Sequence, residues 1–158
     1  RWIPLQDAFV GPGKSGIDPH RELLTRLRFH ATRNFEGSAF TRVMRPQGVA
    51  LPMILMAARI GLDQNDTVRR VRISIGPAGP VPHLAEAAME SLEGEPANEA
   101  SFRRAAAVAL ENAALRSSKY RATEEYRTDM ILNHLPLVLE QAAERARTAT
   151  GSTEDAAS

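Results

Sequence analysis

The spacing of apolar positions changes along the chain from a period of two to a period near 3.6, and the change falls at Gly76. Before it, Leu27 and Phe29 alternate with Arg26, Arg28 and His30, the pattern of a half-buried strand. Residues 49–58 are almost continuously apolar, as in a strand buried on both faces. Pro52 argues against a helix interior there and places the strand at an edge or a bulge. The cluster Asp63-Gln64-Asn65-Asp66 is a turn signal, because these side chains hydrogen-bond their own backbone. Beyond it Val71, Ile73 and Ile75 alternate with Arg70, Arg72 and Ser74, which predicts a hairpin with one wet face.

Gly76-Pro77-Ala78-Gly79-Pro80 ends the sheet, and helical spacing follows. Leu84, Ala88 and Leu92, flanked by Ala85 and Met89, form an apolar stripe that stops at Gly94. Asn98 is placed to cap a second helix, with Phe102, Ala105, Ala106, Ala109, Leu110 and Ala113 along one face. Thr123 is placed to cap a third, through Tyr126 and Met130. Pro136 inside it removes a backbone donor and predicts a kink. The first 36 residues are broken by Gly11-Pro12-Gly13 and Gly16, and Asp18-Pro19 can open a short helical turn. Residues 148–158 are small and polar without periodicity, which predicts a flexible tail. Strands followed by helices, rather than alternating with them, give the α+β class.

At 158 residues, with 43% hydrophobic and 25% charged, the composition fits one domain of a soluble protein, or one domain plus part of another. The net charge of +1 makes no case for a nucleic-acid or membrane partner. The absence of cysteine excludes disulfides, zinc–thiolate sites and iron–sulfur clusters held by these residues. No apolar run reaches the roughly 20 residues that span a bilayer, and no charged-then-apolar leader is present, so a cytoplasmic protein is expected. The opening Arg1-Trp2-Ile3-Pro4 enters an apolar stretch directly, which is the expectation for a fragment whose start lies upstream. His20, His30, His83 and His134 lie far apart in sequence and predict no metal site. Gly13-Lys14-Ser15 has Ala8 where a phosphate loop needs glycine, so it reads as a surface turn. Arg69-Arg70 with Arg72 is the densest basic patch. With no aromatic side chain between them, these arginines suit a solvated sheet face or a subunit contact better than a nucleic-acid platform.

Five groups of residues occur in a telling order. Ile3-Pro4-Leu5 with Phe9, Gly11-Pro12-Gly13-Lys14-Ser15 and Glu22-Leu23-Leu24 come first, then Gly37-Ser38-Ala39-Phe40 with Arg42 and Arg45. Val71-Arg72-Ile73-Ser74-Ile75-Gly76 follows, then Ala85-Glu86 ahead of Leu92-Glu93-Gly94, then Ser118-Lys119-Tyr120-Arg121-Ala122 with Tyr126-Arg127. This order resembles the C-terminal part of the FAD-binding (medium) subunit of the molybdenum hydroxylase family, that of carbon monoxide dehydrogenase and xanthine dehydrogenase. The resemblance implies a three-stranded antiparallel sheet packed on a three-helix layer, preceded by the tail end of an FAD-binding domain. The boundaries it implies are 1–36 for that end, 37–147 for the α+β domain and 148–158 for the tail. Within the domain it implies strands near 38–45, 49–61 and 67–76, and helices near 82–92, 98–115 and 123–146.

The function implied is that of an oxidoreductase subunit, catalytically incomplete alone, whose FAD passes electrons from iron–sulfur clusters to an external acceptor. The molybdenum cofactor and the [2Fe-2S] clusters would belong to partners, a molybdenum-binding subunit and an iron–sulfur subunit. This chain would complete one wall of the flavin site begun by an upstream FAD-binding domain. The residues implied at the cofactor are Arg42, Ile17, Arg45 and Glu22. A guanidinium at Arg42, where the family has lysine, would favour negative charge on the reduced ring. Ile17 would lie against the flavin or adenine, or pack within its loop, and Glu22 flanks the same turn. Two departures stand out: the family's glycine-rich pyrophosphate loops are not among these residues, and its paired arginines in the last helix are replaced around Pro136 and Leu137. The alternative is a non-catalytic subunit-interaction module of the same fold without its own flavin.

Overall fold

A computed structural model describes residues 1–44, 51–79, 81–113, 115, 117 and 122–149. After a 3-10 turn at Leu5–Ala8 come six strands: β1 (Phe9–Gly11), β2 (Lys14–Ser15), β3 (Glu36–Met44), β4 (Pro52–Leu62), β5 (Val68–Gly76) and β6 (His83–Leu84). Three helices follow, α1 (Glu86–Leu92), α2 (Glu99–Glu111) and α3 (Glu124–Thr148). β1 and β2 form a small hairpin, and β3-β4-β5-β6 form one antiparallel sheet in that order. The architecture is α+β with three helices, but the main sheet has four strands rather than three. The additional strand is short: His83 and Leu84 pair with Ile75 and Ser74. That pairing delays the start of α1 to Glu86, although Leu84 lies on the helical stripe in sequence.

Alternation sorts the side chains of the sheet onto two faces. Ala39 of β3, Ile54, Met56, Ala58 and Ile60 of β4, and Val71, Ile73 and Ile75 of β5 are buried against the helices. Burial of each isoleucine contributes about 1.5–3 kcal/mol. α3 lies on β3 and β4, α1 packs on β5, and α2 fits between α1 and α3. Leu92, Phe102, Ile131, Leu135 and Leu139 complete the core from the helical side. Among the described residues, no helix covers the opposite face of the sheet. It carries Phe40 and Arg42 of β3, Leu55 and Arg59 of β4, and Arg70 and Arg72 of β5. β4 therefore has one buried and one half-buried face. Pro52 opens it at a register shift, where Val43 faces Ile54 but Met44 faces Pro52.

The turns and caps follow their local chemistry. Asp63 accepts from the N–H groups of Asn65 (2.8 Å) and Thr67 (3.0 Å), closing the β4–β5 connection. The Asn98 side chain accepts from Ser101 N–H at 3.0 Å, and Thr123 Oγ1 from Tyr126 N–H at 3.2 Å. α3 continues through the buried Pro136. It reaches Thr148, one residue into the expected tail, while 150–158 lie outside the described residues. Near its end Arg147 grips both carboxylate oxygens of Asp66 (2.9 Å each) and the Ala97 carbonyl (2.6 Å).

The stretch around Leu27 and Phe29 is not a strand; both side chains are exposed, Phe29 at 85%. Alternation supplies the faces of a strand, but its N–H and C=O groups also need a partner ladder. None of the described strands pairs there.

Candidate functional site

The uncovered sheet face is polarised from one end to the other. At one end the turn of the β1–β2 hairpin, Pro12 and Gly13, overhangs Phe40, Leu55, Ala57 and Gly76 around a cavity of about 670 Å³. Its lining is mostly apolar, and Phe40 remains 62% exposed beside it. Gly13 takes the left-handed conformation at φ 67°, which lets the hairpin turn tightly over the sheet. Arg42 is two residues along β3 from Phe40, on the same face, and is the direct cross-strand partner of Leu55. It is exposed, and the lining residues Phe40 and Leu55 are its neighbours on that face. Arg45 lies outside the described residues.

Ile17 and Glu22 come together elsewhere, around a cavity of about 390 Å³ that Trp2, Ile3, Leu23 and Leu24 also line. Glu22 holds the turn it flanks: it accepts from Arg1 Nε (2.7 Å) and Nη2 (3.0 Å) and from Asp18 N–H (3.0 Å). The Arg1 hydrogen bonds first, then the Asp18 N–H, bring its carboxyl from the ordinary 4.5 down to about 2. A depressed folded value means that the tie is complete above about pH 4.5 and fades as the pH falls through about 2. A carbon-detected NMR titration of the Glu22 carboxyl should show a midpoint near 2, moving toward 4.5 in Arg1→Ala. A midpoint at 4.5 in the unsubstituted chain would mean that Arg1 does not hold it.

The other end of the face is basic. A cavity of about 550 Å³ is lined by Arg33, Arg59, Arg69, Arg70 and Arg72, with His30 at its edge. Glu36 and Glu93 line it too, and Gly61 leaves it open below. Arg59 forms an ion pair with Glu36 and donates to the carbonyls of His30 (3.3 Å) and Ala31 (3.1 Å). Burial works against charge on Glu36, but the hydrogen bonds from Arg59 and the Arg33 N–H prevail and hold its carboxyl below the usual range. The sequence displays Arg69, Arg70 and Arg72 as a group; Arg33 and Arg59 join them only through the fold. Among the described residues, no cluster of three His, Asp or Glu side chains could hold a metal ion. No helix there is long and apolar enough to cross a membrane.

A four-stranded antiparallel sheet backed on one side by three helices, with its other side left open, defines the class of domain. Residues 38–142 match the CO dehydrogenase flavoprotein C-terminal domain, and the chain belongs to that family. It is 27% identical over 147 residues to the xanthine dehydrogenase FAD-binding subunit of Escherichia coli O157:H7, covering 92% of this chain and 49% of that protein. Among solved structures it resembles reconstituted CO dehydrogenase from Oligotropha carboxidovorans at 25% identity and TM-score 0.72, over 91% of this chain and 48% of that one. It shares the fold of the Hydrogenophaga pseudoflava carbon monoxide dehydrogenase at 20% identity and TM-score 0.76, covering 94% and 49%. The chain thus spans about half the length of the curated relatives it matches.

Proposed function

We propose that this chain forms one wall of the flavin site in the FAD-binding subunit of a molybdenum-hydroxylase-type oxidoreductase. The observation that carries the reading is the apolar cavity on the open sheet face, with Arg42 the cross-strand partner of its lining residue Leu55. A largely apolar lining that includes Gly13, Gly76 and Gly79 suits a planar ring system better than a phosphate. The cavity volume lies within the usual range for ligand sites. FAD, when bound, supplies the electron-transfer chemistry. In this reading the chain positions the ring, keeps water from one side of it and presents the Arg42 guanidinium to charge gathering there. Ile17 would cover an apolar part of the cofactor from the N-terminal segment, with Glu22 holding that turn in place and Arg45 adding charge near Arg42. Residues 1–36 would close the preceding FAD-binding domain, residues 37–147 would form the family domain, and 148–158 would form a tail. The exposed Leu23, Leu24, Leu27 and Phe29 support this division, since an upstream domain would cover them. Electrons would arrive from [2Fe-2S] clusters of an iron–sulfur subunit, fed by a molybdenum subunit that oxidises the substrate in the cytoplasm.

The test has two arms. In the assembled enzyme, Arg42→Met should lower the flavin reduction potential and slow delivery to the acceptor, leaving substrate oxidation at the molybdenum subunit largely intact. An unchanged potential rejects the assignment. Titrated with FAD and followed by flavin fluorescence, the 158-residue chain alone should not form a stoichiometric flavin complex, because the glycine-rich loops that hold the cofactor in the resembled family are not among its residues. Adding the upstream domain should restore a yellow stoichiometric complex. Failure of that recovery would favour the flavin-free interaction module.

A further inference from the structure

The basic end of the open sheet face departs from two regularities of sheet construction, and both departures gather arginines. The first is a β-bulge. Gly61 of β4 faces Arg70 of β5, but the next residue, Leu62, faces Val68, so Arg69 is an extra residue in the ladder. In a regular strand Arg69 would point to the side opposite Arg70. Instead the burial order along β5 is Val68 buried, Arg69 and Arg70 exposed, Val71 buried. The bulge brings two consecutive arginines to the outer side, a re-aiming for which such irregularities are suited.

The second departure is a like-charge pair. Arg59 and Arg72 are direct cross-strand partners on the same face, an arrangement that costs stability where opposite charges would add to it. Arg59 is partly relieved by Glu36. Among the described residues, Arg72 donates to the neighbouring Val71 carbonyl (3.3 Å) and to no carboxylate. Arg33, Arg69 and Arg70 make no side-chain hydrogen bond or ion pair among the described residues. The nearby Asp63 faces Arg69, but its carboxylate already serves the N–H groups of Thr67 and Asn65. Five arginines thus meet two glutamates around one concavity, with glycine as its floor where a side chain would otherwise fill it.

We propose that this cavity is a binding site for a small phosphorylated anion carrying at least two negative charges, the diphosphate group being the simplest that fits. Guanidinium forks match phosphate oxygens two at a time, which a cluster spread over β4, β5 and the 30–33 segment can do from several sides. The cavity volume, about 550 Å³, exceeds the need of a single ion and falls in the range of small-ligand sites. Single-stranded nucleic acid would want aromatic side chains for stacking, and the lining has only the His30 ring. The site lies at the opposite end of the face from Arg42 and does not depend on the flavin reading.

Calorimetric titration of the 158-residue chain with sodium pyrophosphate tests the proposal, alongside Arg70→Ser and Arg103→Ser. The second substitution removes the same charge from α2, outside the cavity. Saturable one-to-one binding is expected, weakened by added salt, with Arg70→Ser at least about tenfold weaker and Arg103→Ser unchanged. Both variants alter exposed side chains. Circular dichroism melts confirm that they fold, and pyrophosphate should raise the melting temperature of Arg103→Ser but not that of Arg70→Ser. A parallel titration with ADP separates sources: tighter binding than pyrophosphate supports a nucleotide ligand, equal binding supports the diphosphate itself. Absence of saturation, or equal weakening by both substitutions, overturns the site as diffuse charge attraction. Saturable binding of polyglutamate without binding of pyrophosphate overturns it in favour of an acidic protein partner.

Discussion

Replacing Gly37 by alanine should destabilise the domain by about 3 kcal/mol or more, enough to remove much of the stability of a typical domain. Gly37 is buried in β3 against the backbone of α3. A Cβ there would lie 2.2 Å from the Ala142 carbonyl oxygen, 2.4 Å from the Ala146 nitrogen and 2.8 Å from the Arg145 carbonyl carbon. All three are helix backbone, so no side chain can turn aside; β3 and α3 must separate. Arg145 Nη1 donates to the Ser38 carbonyl at 2.6 Å, holding the two elements at that contact. The control is Gly61→Ala, whose Cβ would meet only side-chain atoms, of Glu36 at 3.4 Å and of Arg70 at 3.8 Å, and should change stability by about 0.5 kcal/mol at most. Urea unfolding of both variants measures the difference. Equal midpoints would mean that strand and helix do not approach so closely.

Arg127→Ala should cost about 3 kcal/mol, by a different route. Arg127 sits in the first turn of α3 at 1% exposure, among the largest fully buried side chains of the domain. Its Nε donates to the Met53 carbonyl at 3.3 Å, fastening the start of α3 under the start of β4. Alanine would leave a void and strip that carbonyl of its donor. Arg127→Met keeps most of the volume and loses the donor, so it should recover roughly half of the loss. Urea midpoints for the three proteins separate packing from hydrogen bonding. If Arg127→Ala unfolds at the same urea concentration as the parent, the buried placement is wrong. Met53 is followed by Ile54 and Leu55, so slackening here would also reach the apolar cavity.

Much of the core was legible because its causes are local. The alternation of Val71, Ile73 and Ile75 marks β5, the acidic and amide cluster at 63–66 marks the turn before it, and Asn98 and Thr123 mark the starts of two helices. What escaped depends on pairing. β6 is two residues long, and Leu84 falls on the spacing of α1, so nothing in its own side chains distinguishes strand from helix. The bulge at Arg69 is invisible in sequence because it exists only relative to Gly61 and Leu62 on the facing strand. Leu27 and Phe29 show the converse: a strand pattern with no ladder to join. For the sites, the period of two puts Phe40 and Arg42 on one face of β3, whereas Arg33 and Arg59 join the 69–72 arginines through tertiary contacts.

The grip of Arg147 on Asp66 also bears on how the chain is made. The helix that closes the inner face of β3 and β4 follows, in chain order, the strands it covers. Until residue 147 is available, Ile54, Met56 and Ile60 lack the cover of α3, and the β4–β5 turn lacks its clasp. At synthesis rates of about 5–20 residues per second, that leaves several seconds in which a greasy hairpin must be kept from meeting its neighbours. The order of elements along the chain leaves the inner face of the sheet as the aggregation-exposed surface until α3 has been made.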